Sequence, residues 1–596
     1  MQRDMDAQEI SQDVRSEPRS EAARKSPLMI GACLVLWILP LAYYGPRLWR
    51  LVASGRTIME LALLSAYCAM LVIFWLLAAY YVAVVLFSFL SASLSCPLAH
   101  PDDEWPDVAI LYPTCNDFQP EAAASCLKQD YRNFHLFLLD DSTEDEFRTV
   151  AEAFHAAHPE RTTLVRRLTR QGFKAGNLNY ALRGAAAGYP FFAVVDADER
   201  LPPDFLRRTM AYIRDSRLAF VQANHAPNPH QDSGFAREIG ATILPFWNVH
   251  CRPRNRYGFV LYLGHGAVVR RSAWEAVGGF PEVVLEDLAF SAVLGEKGMR
   301  GTFLEDLLCY EDFPATYLAF KRQHERYIIG TTQVMRKYLR LLLRSRRLSL
   351  TEKIDFCLWC SPLYVPALCL LFAALCSLGL AGMLGNWQSP VVSLFGQQFT
   401  LPAVRALDDR FVPLWSWDFQ LFSVLCALSP ALACIALGVK GKLRAAGLLF
   451  LSTVPYLSLM VVSWRGVLGY LLLGRTFSPP TGERVLLPKA GSLGLTDSAR
   501  HWLLGRSVIW RAPRMWEICI GGLLMAASLA SFNLALGAVG CCLLVGGFIG
   551  ASGWGQRVVR IVSVSCFAVI LLQMLINVTL LVQSPGLVPL MFSVHF

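Results

Sequence analysis

Long apolar stretches constrain this chain more than any other feature of its sequence. A helix needs about 20 consecutive apolar residues to cross a bilayer. Runs of comparable length occur toward both ends of the chain: 28–45, 58–93, 354–384, 418–438, 446–473, 515–553 and 559–583. The composition agrees, because 54% of the 596 residues are hydrophobic and only 17% are charged. These values are unusual for a soluble protein and predict a multi-pass membrane protein.

A polar segment separates the apolar stretches into two groups. Residues 95–350 are rich in charged and turn-forming residues, and we expect a water-facing domain with interfacial helices there. A disordered polar tail is predicted at 1–27 and transmembrane helices at 28–94. Residues 351–596 are predicted to form a transmembrane channel region with an interfacial loop near 464–514.

Basic residues predict the orientation of the spans. Arg24 and Lys25 precede the first span. Six more basic residues precede the third: Arg336, Lys337, Arg340, Arg344, Arg346 and Arg347. Because such residues favour the cytoplasmic side, we expect a cytoplasmic central domain and spans in the inner (plasma) membrane. The net charge of +9 is then membrane-surface charge, and nucleic acid is not an expected partner.

Short β-rich runs in the central segment alternate with helical pieces such as PEAAASCLKQ and AGNLNYALRGAAAG. The runs are 107–114, 134–141, 162–168, 191–198 and 217–224. This alternation predicts an α/β domain with a mostly parallel sheet and crossover helices. Ligands of such sheets bind beyond the carboxyl ends of the strands.

Acidic residues lie at those strand ends. Asp117 follows the first run, Asp140 and Asp141 end the second, and Asp196 and Asp198 end the fourth. A single such acid is usually a helix cap or a solvated turn, but three positions at one edge favour a site. The two acids of the DxD share a face if the chain stays extended. Neighbouring carboxylates repel unless a proton or cation lies between them, so the pair favours Mg²⁺ or Mn²⁺ bound to a diphosphate.

A lysine lies in QGFKAGNLNYAL, residues 171–182. Lys174 precedes the small residues Ala175 and Gly176, where the backbone can approach a ligand, and Asn177 is predicted to cap the next helix. A lysine beside a helix N-terminus favours an anion. An exposed lysine in a plain turn is the alternative.

Two further segments carry polar side chains on predicted helices. Glu286 and Asp287 begin an amphipathic helix, where acids are ordinary first-turn residues, and Asp287 is also suited to act as a general base. In KRQHERYIIGT, the side chains of Gln323, Arg326 and Tyr327 share one helical face. That face could bind a sugar ring and a diphosphate, or could belong to an interfacial helix.

The order of the motifs PTCND, LLDDS, KAGNLN, VVDADERLPPDFL, GHGAVVRRSAWEAVGGF, LEDLAFS and QHERY resembles one family. The family it resembles is the membrane-embedded processive family 2 glycosyltransferases, a group that includes cellulose, curdlan, chitin and hyaluronan synthases. The resemblance covers about residues 105–335. It implies an α/β GT-A-type nucleotide-sugar domain with a mostly parallel sheet, inserted between α-helical transmembrane segments.

The resemblance also implies an activity and its partners. The enzyme would polymerise a sugar from a UDP-sugar donor, with inversion, into a β-linked polysaccharide, with a glucan favoured, and would pass the product across the membrane. Mg²⁺ or Mn²⁺ would be the cofactor. The partners would be the donor, the growing polysaccharide, membrane lipids and accessory or export subunits. The alternatives are a transferase of single sugars to a lipid carrier, and an inactive scaffold or export subunit.

Four residues on the nucleotide side receive a role from the resemblance. It implies that Asp117 and Asp140 lie beside the uridine. Lys174 and Asp196 would help to hold the nucleotide sugar.

The remaining roles concern the reacting atoms. The resemblance implies that Asp198 binds the metal and that Asp287 is the catalytic base. Gln323 and Arg326 would clamp the diphosphate, with Tyr327 as an aromatic platform in place of the family's Trp. The segment RTFSPPTGERV, 475–485, lies where cellulose synthase-like members carry a gating loop, but its Thr and Lys positions do not match.

Overall fold

A computed structural model describes most of the central segment and parts of the flanking regions. The described residues are 25–91, 94, 105–389, 391–394, 396–400, 404–407, 409–414, 416–436, 457–474, 476, 513–531, 534–548, 561–566, 568–569, 572, 575 and 588–589. Most of the predicted tail at 1–27 and nearly all of the predicted loop at 475–485 lie outside these residues. Elements are numbered below in chain order among the described residues.

Two N-terminal helices are long and apolar enough to cross a membrane. They are α1 (Leu28–Ala53) and α2 (Ile58–Leu90). Helix α2 begins where the Thr57 side chain accepts a hydrogen bond from the amide of Glu60, an ordinary N-cap. Among the described residues, a third candidate span is a helix pair within 350–374 that bends by 64°. These helices are consistent with the predicted membrane association.

A seven-stranded sheet forms the centre of the molecule. Its strands are β1 (Val108–Thr114), β2 (Phe134–Asp140), β3 (Thr162–Val165), β4 (Phe191–Val194), β5 (Leu218–Pro227), β6 (Ala267–Arg270) and β7 (Arg300–Glu311). The order is β3-β2-β1-β4-β6-β5-β7, and β6 alone runs antiparallel to its neighbours. The predicted mostly parallel α/β fold is therefore confirmed.

Helices cover both faces of the sheet. They are α3 (Pro120–Leu127), α4 (Asp145–Ala157), α5 (Phe173–Arg183), α6 (Phe205–Ile213), α7 (Gly234–Cys251), α8 (Arg254–Tyr257), α9 (Arg271–Ala276) and α10 (Glu286–Glu296). Along β1, Ile110 lies in the core under one face and Leu111 in the core under the other. Because successive strand residues point to opposite faces, burial of both requires a sheet covered on both sides.

Helices α11 to α18 follow the sheet. They are α11 (Tyr317–Arg344), α12 (Leu350–Cys360), α13 (Val365–Ala374), α14 (Ala381–Leu384), α15 (Trp417–Ala436), α16 (Leu459–Leu473), α17 (Pro513–Ser531) and α18 (Leu534–Phe548). Four short strands lie between α14 and α15: β8 (Asn386–Gln388), β9 (Val391–Leu394), β10 (Gln397–Thr400) and β11 (Val404–Leu407). Strand β12 (Val588–Pro589) comes after α18 in the chain and pairs with β11. Helices α17 and α18 pack closely, since a Cβ on Gly521 would lie 2.8 Å from the Gly540 carbonyl oxygen.

Candidate active site

The two acids of the DxD lie in a turn just beyond the sheet. Strand β4 ends at Val194, and the amide of Glu199 donates to the Asp196 carbonyl at 3.0 Å, so the chain is not extended here. Asp196 and Asp198 are nevertheless both half-buried, whereas Glu199 is fully buried. Both acids are therefore partly exposed at the edge of the sheet where β2 ends in Asp140.

Lys174 is the cation closest to the DxD. Its Nζ lies 2.5 Å from Asp196 Oδ1, 3.1 Å from the Gly264 carbonyl oxygen and 3.6 Å from Glu286 Oε1. Burial alone would lower the pKa of Lys174, but Asp196 and Glu286 outweigh burial and raise it. Burial would raise the pKa of Asp196, yet Lys174 and His265 hold it below its ordinary value. The pair is therefore ionised across the physiological range.

The surroundings of Lys174 correct two expectations. Asn177 is not a cap: helix α5 begins earlier, after Gly172 with φ of +78°, and the Asn177 side chain donates to the Leu139 carbonyl at 2.9 Å. Gly176 does not leave room for a ligand, because a Cβ there would overlap the Gln171 carbonyl. Asn177 therefore ties the helix to strand β2, and Gly176 permits the close turn that precedes the helix.

Asp117 and Asp140 are held by residues near them. Asp117 Oδ1 accepts hydrogen bonds from the Thr114 hydroxyl at 2.8 Å and the Cys115 amide at 2.6 Å. Asp140 Oδ2 accepts one from Arg166 Nε at 2.8 Å, and its side chain has no exposed surface. Burial raises the pKa of Asp117. Both acids lie at the expected sheet edge with fixed orientations, and contact with a nucleoside stays a prediction.

Asp198 is the acid of the DxD whose negative charge is less well balanced by nearby cations. Burial raises its pKa well above the ordinary value, and Asp196 and Glu311 raise it further. Arg200 is nearby, but its Nη1 donates to the Asp198 backbone carbonyl at 3.3 Å. A carboxylate whose ionisation is opposed by other carboxylates gains most from a divalent cation. The residues present therefore fit the predicted Mg²⁺ or Mn²⁺.

His265 is a central residue that sequence reasoning missed. It lies between Gly264 and Gly266, whose φ angles of +93° and +59° favour glycine. Its Nδ1 lies 3.2 Å from Glu199 Oε1, and its Nε2 lies 3.9 Å from Asp196 Oδ2. Burial alone would lower the pKa of His265, but Glu199 and Asp196 raise it to about 10. The imidazolium offsets part of the acidic charge.

A second histidine, His225, lies beneath the DxD turn. One ligand atom each from Glu199, His225 and His265 lies within 4.8 Å of the others, a spacing that could hold a metal ion. In this group Glu199 Oε1 and both Nδ1 atoms are buried without an aligned hydrogen-bond partner among the described residues. Oxygen and nitrogen ligands suit Mn²⁺ better than Mg²⁺, and binding would require His265 to lose its proton.

Glu286 and Asp287 begin α10, as predicted. The helix is buried on all sides rather than amphipathic, so its first turn projects into the protein. Asp287 Oδ1 accepts a hydrogen bond from the Leu288 amide at 2.7 Å. Burial raises the pKa of both acids. Asp287 also lies against the glycine loop, since a Cβ on Gly264 would lie 3.3 Å from its Oδ2.

Helix α11 carries the last three predicted residues. Gln323, Arg326 and Tyr327 are all half-buried. The Arg326 guanidinium carbon lies 5.3 Å from the centre of the Tyr327 ring. Its Nε is buried and has no hydrogen-bond partner among the described residues. A buried N–H group without a partner is costly, and an anion such as the predicted diphosphate could accept its hydrogen bond.

The site therefore combines acids, cations and free donors in one cleft. Electrostatic contacts to Asp196 and Asp287 come from both His265 and Arg326. Such an arrangement can bind a metal diphosphate, neutralise a leaving group and accept a proton.

A family model described as glycosyl transferase family group 2 matches residues 191–437. This range includes the DxD turn, the GHG loop, α10 and α11.

Curated plant proteins are similar over part of the chain. Glucomannan 4-beta-mannosyltransferase 1 of Oryza sativa subsp. japonica is 27% identical over 272 residues, covering 43% of this chain and 52% of that protein. Probable glucomannan 4-beta-mannosyltransferase 1 of Arabidopsis thaliana is 27% identical over 262 residues, covering 42% of this chain and 47% of that protein. The chain thus spans about half the length of the curated relatives it matches.

A solved structure is also similar. The mannosyltransferase PcManGT from Pyrobaculum calidifontis, in complex with GDP-Man and Mn²⁺, superposes with a TM-score of 0.42 and 18% identity. The match covers 71% of this chain and 100% of that one. Residues 191–437 thus match a family 2 glycosyltransferase model, which agrees with the motif resemblance, and the described chain also contains helices apolar enough to cross a membrane.

Proposed function

We propose that this protein is a membrane-embedded, inverting glycosyltransferase that extends a β-linked polysaccharide with hexose from a nucleotide-sugar donor. The observation that carries the proposal is the convergence of Lys174, Asp196, Asp198, Asp287 and Arg326 at one edge of the sheet. An inactive scaffold would have no chemical need to bury these charges together.

Asp287 is the proposed base of the reaction. Its carboxylate takes the proton from the acceptor hydroxyl, whose oxygen attacks the anomeric carbon of the donor, and the nucleoside diphosphate leaves. Because burial raises the pKa of Asp287, the group is a stronger base than an exposed aspartate. Arg326 and Lys174 stabilise the charge on the departing phosphates. A Mg²⁺ or Mn²⁺ ion held by Asp198 would neutralise part of the same charge.

The donor sugar belongs to this proposal. The motif resemblance favours glucose from a UDP-sugar, whereas the matched plant relatives are named mannosyltransferases. We therefore propose glucose or mannose, with the choice decided by the donor assay. The relatives' names refer to a polysaccharide, which favours polymer extension over transfer of one sugar to a lipid.

The test is radiolabel incorporation by the full chain in lipid nanodiscs with Mg²⁺ or Mn²⁺. UDP-glucose and GDP-mannose are supplied separately, and Asp287→Asn serves as the inactive control. We expect an ethanol-insoluble polymer from one donor, digested by a β-glucanase or a β-mannanase, and none from Asp287→Asn. Label found only in a lipid extract would instead indicate a single-sugar transferase, and incorporation by Asp287→Asn at the wild-type rate would refute the mechanism.

We further propose that the central domain is cytoplasmic and that the apolar helices lie in the inner membrane, in contact with its lipids. Residues 351–596 would form the exit path of the polysaccharide, either alone or together with accessory subunits. Helices α1 and α2 support the membrane location. Protease protection in inverted and right-side-out vesicles tests the orientation. Cleavage within 105–311 from the outside of right-side-out vesicles would contradict it.

A further inference from the structure

Helix α11 is attached to two apolar helices by buried ion pairs. Lys321 forms one with Glu517 on α17, and Glu325 forms the other with Arg465 on α16. The side chains of the first pair are 3% and 0% exposed, and those of the Arg465–Glu325 pair are 12% and 7% exposed. In the second pair, Arg465 Nε also donates to Glu325 Oε1 at 2.8 Å. The contact is therefore bidentate, which fixes the relative orientation of the guanidinium and the carboxylate as well as their separation.

The ion pairs lie on the opposite side of α11 from the donor-binding residues. Lys321 and Glu325 are four residues apart and share one face. Successive residues of a helix are rotated by about 100°. The middle of the face formed by Gln323, Arg326 and Tyr327 therefore lies roughly half a turn around the helix axis from the face of the ion pairs. One side of the helix thus contacts the membrane region, and the other faces the cleft.

Helix α16 fits closely against this side of α11. His324 Nε2 lies 2.9 Å from the Ser463 hydroxyl oxygen. A Cβ on Gly466 would overlap the side chain of Ile328, so only glycine permits the observed approach. Three contacts within one turn of α16, through Ser463, Arg465 and Gly466, therefore fix the register of the two helices.

Buried ion pairs are better at specifying an arrangement than at stabilising it. Desolvation offsets most of their attraction, and apolar side chains of similar size would often stabilise as well. A shift of α11 by one residue would move Glu325 by about 1.5 Å along the axis and rotate it by about 100°. Such a shift would separate the pair and turn Arg326 away from the cleft.

We propose that Glu325 and Arg465 are positioning residues that set the rotation of α11, so that Arg326 meets the diphosphate of the donor. This inference rests on the proposed function. It makes the geometry of the transfer site depend on an apolar helix more than 130 residues later in the chain. The role concerns placement of Arg326, and neither Glu325 nor Arg465 touches the donor.

The test measures binding of UDP and of GDP, each with Mn²⁺, to the full chain in nanodiscs. Arg465→Gln and the double change Glu325→Gln with Arg465→Gln are compared with Arg326→Gln. The double change leaves no unpaired buried charge, so it separates lost positioning from misfolding. Asp306→Asn is the matched control, because it breaks an ion pair with Arg208 in which Asp306 is 62% exposed.

We expect Arg326→Gln and both Arg465 variants to weaken diphosphate binding about 10- to 100-fold, the range for losing a charge-assisted hydrogen bond. When Arg465→Gln is added to Arg326→Gln, we expect no further loss, because both changes remove one contact. Wild-type affinity in the double Gln variant, or losses that multiply, would overturn the inference while leaving the proposed function intact. Absence of binding by the wild type to both diphosphates would overturn both.

Discussion

Lys174 should be the residue whose removal most clearly separates binding electrostatics from folding. Its ammonium group has three oxygen neighbours, Asp196, Gly264 and Glu286, within 3.6 Å. Replacement by Met keeps the length of the apolar stem and removes the charge. The acids around it then lose their nearest cation, and Asp196 keeps the weaker influence of His265 and Arg326.

The size of the effect follows from the exposure of the pair. Losing one partner of a fully buried ion pair costs about 3–5 kcal/mol, and a single charge-assisted hydrogen bond is worth about 1.5–3 kcal/mol. The side chains of Lys174 and Asp196 are each 25% exposed, so solvent reduces the upper figure. We expect a loss of about 2–3 kcal/mol in donor transition-state binding, or about a 30- to 150-fold fall in kcat/KM.

The pH dependence of kcat/KM is the more specific test of the role of Lys174. In the wild type, the pKa of Asp196 is held below its ordinary value, so this acid stays ionised as the pH falls. Without Lys174, burial of Asp196 is opposed by fewer cations and its pKa rises. The acid limb of the kcat/KM profile should therefore move to higher pH in Lys174→Met. Incorporation of labelled sugar between pH 5 and 9 measures it, with the exposed Lys297→Met as control. An unchanged limb with kcat/KM within threefold of wild type would refute the reasoning.

Three other variants test separate parts of the site. Asp287→Asn should lower kcat by about 10²- to 10⁴-fold with the donor KM little changed, because only the proton acceptor is lost. Steady-state incorporation of labelled sugar measures both constants, and a loss of kcat below tenfold would argue that Asp287 is not the base. Asp198→Asn should weaken Mn²⁺ binding at least tenfold in a calorimetric titration, and equal affinity would place the metal elsewhere. Gly266→Ala should lower Tm by about 2–8 °C, because backbone strain costs about 1–2 kcal/mol and the Cβ would lie 2.6 Å from Glu199 Oε1. Gly278→Ala, also at positive φ but in open space, should lower Tm less.

Local pattern was enough to predict five of the seven strands of the sheet, β1 to β5. Strands β1 and β2 are continuous apolar runs because both of their faces are covered. Strand β6 was missed because it has only four residues, Ala267–Arg270, and β7 because RGTFLEDLLCYE mixes charged and apolar residues at the edge of the sheet. Edge strands need no continuous apolar run, so periodicity gives little signal there.

Acids at strand ends were also predictable, whereas their partners were not. Glu199 and His265 are distant in sequence and meet because β4 and β6 pair antiparallel, with Val194 opposite Ala267. That register places the residues after β4 beside those before β6. No local rule predicts the pairing, although a histidine between two glycines in GHGAVV was a signal that the chain turns sharply around a polar side chain.

The environment gives three aspartates of similar intrinsic acidity three different states. Asp196 already has a cation, since Lys174 outweighs the effect of burial and keeps its pKa low. Burial and the neighbouring acids Asp196 and Glu311 raise the pKa of Asp198, so its ionisation is opposed until a cation binds. Burial raises the pKa of Asp287, while a hydrogen bond from the Leu288 amide opposes that rise, so the carboxylate is a stronger proton acceptor than an exposed aspartate. Under the proposed function, this separation lets donor orientation, metal binding and base catalysis fall to different carboxylates of one site, a distinction that a sequence motif alone cannot make.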